Sequence, residues 1–247
     1  MIELKNVTKT FIRNKQTITA VEDLTISVKK GEVFGLIGSN GAGKTTTLRM
    51  IASTLKPTNG EIVVNGYNVA FNPEQVRKNI GILFGGDTGL YDRLTARENI
   101  EYFAKLNGLT QEETDKNMQN LVRAFNLEAY LDRRTGGFSR GMKQKTSFAR
   151  SIIHNPQVML FDEPSAGLDI LAADEVINFI KQCKNIGKTI ILSSHDMLEV
   201  EGLCDRVAII NKGRILLQGT IQEVKQKTNC DTLKEAFVNL IKKDNQI

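Results

Sequence analysis

No apolar run in this 247-residue sequence approaches the roughly 18 to 20 residues that a bilayer span requires. The best candidates, Val158-Met159-Leu160-Phe161 and Lys188-Thr189-Ile190-Ile191-Leu192, are soon interrupted. The chain is therefore expected to carry no membrane domain of its own. The N-terminal Met1-Ile2-Glu3-Leu4-Lys5 lacks the basic region and apolar core of a secretory signal, so a cytoplasmic location is expected. Cysteine is scarce: Cys183, Cys204 and Cys230 are odd in number and lack metal-ligand spacing, which argues for reduced thiols and against a disulfide framework or a zinc site. Despite a net charge of +5 there is no long block of Lys and Arg, as a dedicated nucleic-acid arm would need. What remains, 40% apolar and 25% charged residues, is enough apolar material for a globular core of this size. There is no internal repeat and no low-complexity segment.

Periodicity divides the chain into three parts. Up to residue 37 the pattern is that of strands, with Leu24, Ile26 and Val28 alternating against polar neighbours and Val33-Phe34-Gly35-Leu36-Ile37 forming a short buried run. A helix is expected from Thr45 to Leu55, a turn at Pro57-Thr58-Asn59-Gly60 and a strand from Glu61 to Val64. From about Thr95 the character is helical: Thr95-x-x-Glu98 and Thr110-x-x-Glu113 have the form of capping boxes, and Met118, Leu121, Val122 and Phe125 recur at helical spacing. Strand character returns at Val158–Phe161, Thr189–Ser193 and Arg206–Ile210, with a helix carrying Ala173, Val176, Ile177 and Ile180 after the first. Strands alternating with helices imply an α/β fold with a mostly parallel sheet. Asn211-Lys212-Gly213-Arg214 reads as a hairpin turn, and Thr220-x-x-Glu223 and Thr232-x-x-Glu235 open two closing helices.

Gly38-Ser39-Asn40-Gly41-Ala42-Gly43-Lys44-Thr45 matches G-x-x-x-x-G-K-[ST] and lies between a buried strand and a helix, the context in which that pattern binds phosphate. The glycines let backbone N–H groups turn inward, and the helix beginning near Lys44 adds its positive dipole end. Lys44 is then expected on the β- and γ-phosphates, and the Thr45 hydroxyl on Mg²⁺. Val158-Met159-Leu160-Phe161-Asp162-Glu163 ends an apolar strand in two carboxylates at the sheet edge where a nucleotide's metal would sit. Asp162 is the candidate Mg²⁺ partner through water. Glu163 is the candidate for polarising the attacking water, because a metal-bound carboxylate is a poor base and its free neighbour is not.

With these motifs in one chain, further segments fall into place. Phe138-Ser139-Arg140-Gly141-Met142-Lys143-Gln144-Lys145 resembles the signature sequence of ATP-binding-cassette (ABC) ATPases, Pro164-Ser165-Ala166-Gly167-Leu168-Asp169 resembles their D-loop, and Ser193-Ser194-His195-Asp196 resembles their switch-histidine segment. The resemblance covers residues 1 to about 225. It implies a P-loop NTPase (RecA-like) core, about 1–86 and 155–225, with an N-terminal antiparallel β-layer, an inserted helical subdomain at about 87–154, and a helical tail at 226–247. It also implies ATP hydrolysis with Mg²⁺, with Glu163 and His195 catalytic. Nucleotide contacts are implied for Gly38, Ser39, Asn40, Gly41, Ala42, Gly43, Lys44, Thr45, Thr46, Asp162 and Asp169, and for Ser139 and Gly141, which in the family meet the nucleotide held by the other subunit. A second copy of the chain and an integral membrane permease are the implied partners, with no nucleic acid, and the place is the inner face of the cell membrane. Phe11 matches the adenine-stacking aromatic, although an aromatic near an N-terminal strand serves a core as readily. His154 receives no role.

Two positions depart from the family pattern. Gly85 stands where a glutamine usually contacts Mg²⁺ and water and links to the membrane domain, so Asp87 or water must replace its oxygen, or coupling is looser. Arg140 stands where the first of two signature glycines is usual, which offers either an added phosphate contact or a cation turned outward. The stretch from Ile80 to Glu98, with its Phe84-Gly85-Gly86, is similar to sodium-export subunits of the NatA type. Sodium export is therefore the leading expectation. Export of a drug, peptide or lipid, a non-transport ABC ATPase, and a cassette that binds nucleotide without turnover are the alternatives.

Overall fold

The computed structural model describes residues 1–84 and 89–246. Gly85 and Asp87, on which one departure from the family pattern turns, lie outside the described residues. In chain order the elements are β1 (Ile2–Arg13), β2 (Gln16–Val28), β3 (Val33–Ile37), α1 (Lys44–Ile51), β4 (Asn59–Val64), β5 (Tyr67–Asn68), α2 (Pro73–Asn79) and β6 (Ile80–Leu83). Helices α3 (Ala96–Leu106), α4 (Gln111–Ala124) and α5 (Arg140–Ile152) follow. The rest alternates: β7 (Val158–Asp162), α6 (Ile170–Asn185), β8 (Thr189–Ser194), α7 (Met197–Leu203), β9 (Arg206–Asn211), β10 (Arg214–Thr220), α8 (Ile221–Thr228) and α9 (Leu233–Asn245).

Two sheets result. One is antiparallel, in the order β2-β1-β4-β5; the other runs β10-β9-β3-β8-β7-β6 and is parallel except for β10, which pairs antiparallel with β9. The parallel strands are buried on both faces, so their side chains feed two cores by simple alternation. Val33, Met159, Phe161, Ile190, Leu192, Val207 and Ile209 face the core shared with α3–α7. Phe34, Leu36, Val158, Leu160, Ile191, Ala208 and Ile210 face the core shared with α1 and the antiparallel sheet.

Local chemistry sets the helix boundaries. In all four capping boxes the threonine accepts from the N3 amide while the N3 glutamate accepts from the threonine amide, opening α3, α4, α8 and α9. Helix α1 stops at Ile51 rather than Leu55, because Ser53 adopts a left-handed backbone (φ 55°) that a helix cannot continue. Helix α2, opened by Pro73 at its first position, is too short to leave a periodic signature in the sequence.

An aromatic stack ties the helical region to the sheet edge. Phe148 of α5 lies 4.4 Å, centroid to centroid, from Phe161 of β7, and Phe125 lies 4.6 Å from Phe179 of α6 and 5.3 Å from Phe148. All but Phe179 are fully buried. Truncating such a ring costs about 3–5 kcal/mol. The stack thus holds α5 at a fixed height over the residue before Asp162. Among the described residues, no helix is long and apolar enough to cross a membrane.

Candidate active site

The site forms at the carboxyl edge of the parallel sheet, where β3 and β7 end. Between β3 and α1, the loop at 38–43 can exist only with glycine at certain places. Gly43 adopts φ 108°, and a Cβ there would sit 2.7 Å from the Ala20 carbonyl oxygen; at Gly38 it would sit 2.5 Å from the Ile210 carbonyl oxygen. Any side chain at either place would push the loop off the sheet. Helix α1 thus starts at Lys44 with its first amides unbonded by any side-chain cap and aimed into the loop, an anion-binding arrangement.

Lys44 is buried, and its ammonium donates to the carbonyls of Gly38 (2.7 Å) and Ser39 (3.2 Å). Burial pulls its pKa below the ordinary lysine value, against the upward pull of Glu163 and Asp162. Glu163 Oε1 is 3.9 Å from Lys44 Nζ. Asp162, also buried, accepts from the Thr45 hydroxyl on one oxygen (2.6 Å) and from the Ser193 hydroxyl on the other (2.5 Å). A hydroxyl and a carboxylate in contact are hard oxygen donors, the set Mg²⁺ takes in company with phosphate oxygens. Among the described residues no group of three or more His, Cys, Asp or Glu is arranged to hold a metal.

Glu163 has a left-handed backbone (φ 52°), unusual outside glycine. Its amide donates to both the backbone and side-chain oxygens of Ser193, at 3.0 and 3.1 Å. With the amide so held, the carboxylate Oε2 meets His195 Nδ1 at 2.5 Å. The His195 ring is about two-thirds exposed (66%), so its far side is open to a ligand.

A cleft of about 830 Å³ is lined by these groups, among them Gly41, Lys44, Thr45, Thr46, Asp162 and Glu163, together with Phe138, Arg140, Lys143 and Gln144 of the signature segment. The structure thus brings the loop, both carboxylates and the signature segment round one space. Asn40 and Gly43 also line it, and Ser39, Asn40, Glu163 and His195 share a smaller adjoining hollow. Ser139 turns its hydroxyl to the α5 terminus, accepting from the Met142 amide at 3.3 Å, and is outside the cleft lining. Asp169 caps α6 through the Ala172 amide (2.9 Å) and lies close to Gly141, so signature and D-loop touch within one chain. Phe11 is 40% exposed on β1 with the Lys9 ammonium 5.1 Å from its ring, and it does not line the cleft. The Arg140 guanidinium lies directly against Gly167, where any Cβ would collide with it, while the side chain also lines the cleft.

Ser193 does not stand out in the sequence as an individual contributor. It lies opposite Asp162 in the β7–β8 register, a non-local pairing that no local pattern reports. Glu199 was missed as well, a buried carboxylate that accepts from Ser165 (2.8 Å) and Ser194 (2.9 Å) and so ties the D-loop to the switch segment. Burial pushes its pKa up, against the two serine bonds.

A glycine cradle at a helix N-terminus with a buried lysine, a paired Thr–Asp and an adjacent glutamate in contact with a histidine defines a P-loop nucleoside triphosphatase. A family model, ABC transporter, matches residues 21–166. The chain belongs to the ABC transporter family, as an ATP-binding and ATP-hydrolysing subunit. It is 44% identical over 239 residues, 97% of both chains, to the ABC transporter ATP-binding protein NatA of Bacillus subtilis (strain 168). It is also 36% identical to methionine import ATP-binding protein MetN 1 of Bacillus cereus (strain ATCC 14579), covering 97% of this chain and 70% of that protein. A solved ATP-binding subunit of an ABC transporter superposes with TM-score 0.89 at 32% identity over 98% of this chain and 99% of that one. The cassette MJ0796, solved as a dimer in a post-hydrolysis state with ADP and Pi, superposes with TM-score 0.82 at 26% identity over 89% of this chain and 98% of its own.

Proposed function

We propose that this subunit drives export of sodium ion through a separate integral membrane permease, from the inner face of the cell membrane, as a nucleotide-sandwiching homodimer. The carrying observation for the cargo is the likeness of Ile80–Glu98 to sodium-export subunits, joined to a match with NatA that runs the length of both chains.

In this reading the loop amides and Lys44 hold the β- and γ-phosphates, and Thr45 and Asp162 hold Mg²⁺. The metal, when bound, neutralises charge on the phosphate oxygens. Glu163 takes the proton of the attacking water, and His195, anchored on Glu163, turns its free face to the γ-phosphate. Each chain has one cradle and one signature, so Ser139 and Gly141 of a second copy complete the site by presenting a helix N-terminus to the γ-phosphate. Asp169 sits at the seam, and Phe11 stacks on adenine from the β1–β2 hairpin.

The test is sodium flux in vesicles holding this chain with its membrane partner. ATP-dependent sodium movement, abolished by Glu163→Gln, supports the proposal; intact ATPase activity without sodium movement refutes the cargo. Glu163→Gln alone should bind ATP and accumulate an ATP-dependent dimer on size-exclusion chromatography while turnover falls at least about a hundredfold. Near-normal turnover would remove Glu163 from the base role.

A further inference from the structure

The C-terminal helix α9 reaches the phosphate loop through a short relay. Asp244, near its end, accepts from the Asn211 side-chain amide at 2.8 Å, and Lys212 Nζ lies 3.8 Å from the same carboxylate oxygen. Asn211 is buried at the end of β9, and its side-chain oxygen accepts from the Ser39 hydroxyl at 3.4 Å. Two residues on, the Gly213 amide donates to the Ala42 carbonyl at 3.0 Å. The turn between β9 and β10 therefore grips the loop at two points and is itself gripped by α9. Higher on the same helix, Phe237 shares a hollow with Gly38, Ser39, Asn40, Glu163, His195 and Met197.

Asn211 can serve both neighbours only in one orientation. Its NH₂ must face the carboxylate and its carbonyl must face the hydroxyl. Asp244 fixes that orientation, because a carboxylate can only accept. Without it the amide is free to rotate, and the loop loses its side-chain tie at Ser39.

We infer that Asp244 is a positioning residue for the phosphate loop, acting through Asn211, so that the seating of the C-terminal helix sets the affinity for ATP. This rests on the reading of the loop as the phosphate cradle. The residue touches no nucleotide itself.

The experiment measures binding of a fluorescent ATP analogue, with KM and kcat, on the full chain. Asp244→Ala should weaken binding and raise KM by roughly three- to tenfold, the effect of one hydrogen bond, with kcat within about twofold of normal. Asp244→Asn keeps an acceptor and should stay within about twofold of the unaltered protein. Asn211→Asp faces one carboxylate with another and should weaken binding at least as much as Asp244→Ala. Adding Asp244→Asn to it rebuilds the relay with donor and acceptor exchanged, since the carboxylate introduced at position 211 can still accept from Ser39, and should restore affinity. Recovery in the exchanged pair is an outcome that simple loss of helix packing would not give. Unaltered binding by Asp244→Ala overturns the proposal, as does an exchanged pair no better than Asn211→Asp alone. Lys44→Ala run alongside reads the cradle separately. Unchanged binding there sinks the phosphate reading, whereas loss there with normal Asp244→Ala binding sinks only the relay.

Discussion

Replacing Ser193 by alanine removes one hydroxyl from the centre of the site, and the structure says where the loss falls. The hydroxyl donates to Asp162 Oδ1 at 2.5 Å and accepts from the Glu163 amide at 3.1 Å, in a fully buried position. The Glu163 amide keeps its bond to the Ser193 backbone oxygen at 3.0 Å, so it is not orphaned. Asp162 keeps the Thr45 hydroxyl on its other oxygen and is left with Oδ1 unmatched in a buried setting. A hydrogen bond to a charged group is worth about 1.5–3 kcal/mol. At roughly 2–4 °C per kcal/mol for a domain of this size, Ser193→Ala should melt about 3–12 °C lower in the absence of nucleotide. Magnesium and ATP should recover part of that difference, because the metal's water shell can give the orphaned oxygen a new donor. Thermal melts by differential scanning fluorimetry, with and without Mg-ATP, make the measurement. A Ser193→Ala protein that melts like the original without nucleotide refutes the assignment of Ser193 as the partner that holds Asp162 in place.

Three further outcomes follow from the same geometry. Lys44→Ala should lose most ATP affinity in equilibrium binding, since the buried cation beside the loop goes with it; unchanged affinity would contradict the cradle. Arg140→Gly should alter the ATP concentration needed to form dimer, because the guanidinium that covers Gly167 also lines the cleft, and an unchanged concentration dependence on analytical ultracentrifugation would place Arg140 outside the site. Glu199 has its pKa raised by burial in the folded chain, so it binds its proton more tightly there than when unfolded. Its contribution to stability is therefore complete below the ordinary glutamate range and is lost as pH climbs through the raised folded value. Glu199→Gln, which keeps an acceptor for Ser165 and Ser194, should flatten that part of the denaturant-midpoint profile; equal slopes in both proteins would remove Glu199 as its source.

The parts of this molecule that were legible in advance are those whose cause is local. The four capping boxes need only a threonine and a glutamate three residues apart, and each forms as written. The phosphate loop is legible for the same reason: its glycines, the strand before it and the helix after it lie within one short segment. Strand order is another matter. That β3 lies between β8 and β9, joining residue 37 to residues 194 and 209, depends on packing two hydrophobic faces at once, and no window of sequence contains it. The residues missed are those whose meaning is created by that order. Ser193 matters because β8 sets it beside Asp162, and Glu199 because α7 brings it under both Ser165 and Ser194.

The expectation that Glu163 rather than Asp162 polarises the water needs only two adjacent residues, whereas the orientation of Glu163 depends on contacts distant in the chain. Asp162 and Glu163 are adjacent in the chain, and an extended strand would send them to opposite faces. Here β7 ends at Asp162 and Glu163 takes a left-handed backbone, with its amide drawn onto Ser193. Strain of this kind costs of order 1–3 kcal/mol and persists only where surrounding bonds over-determine it. Two bonds from Ser193 hold the amide and His195 holds the carboxylate, so the turn that points Glu163 toward the cleft is maintained from β8 and the segment after it. His195 and Glu163 are thereby one mechanical unit. Any movement of the segment from Ser193 to Asp196 must re-aim Glu163, and α7, which follows that segment directly, is tied to it through Glu199, the acceptor of the Ser194 hydroxyl.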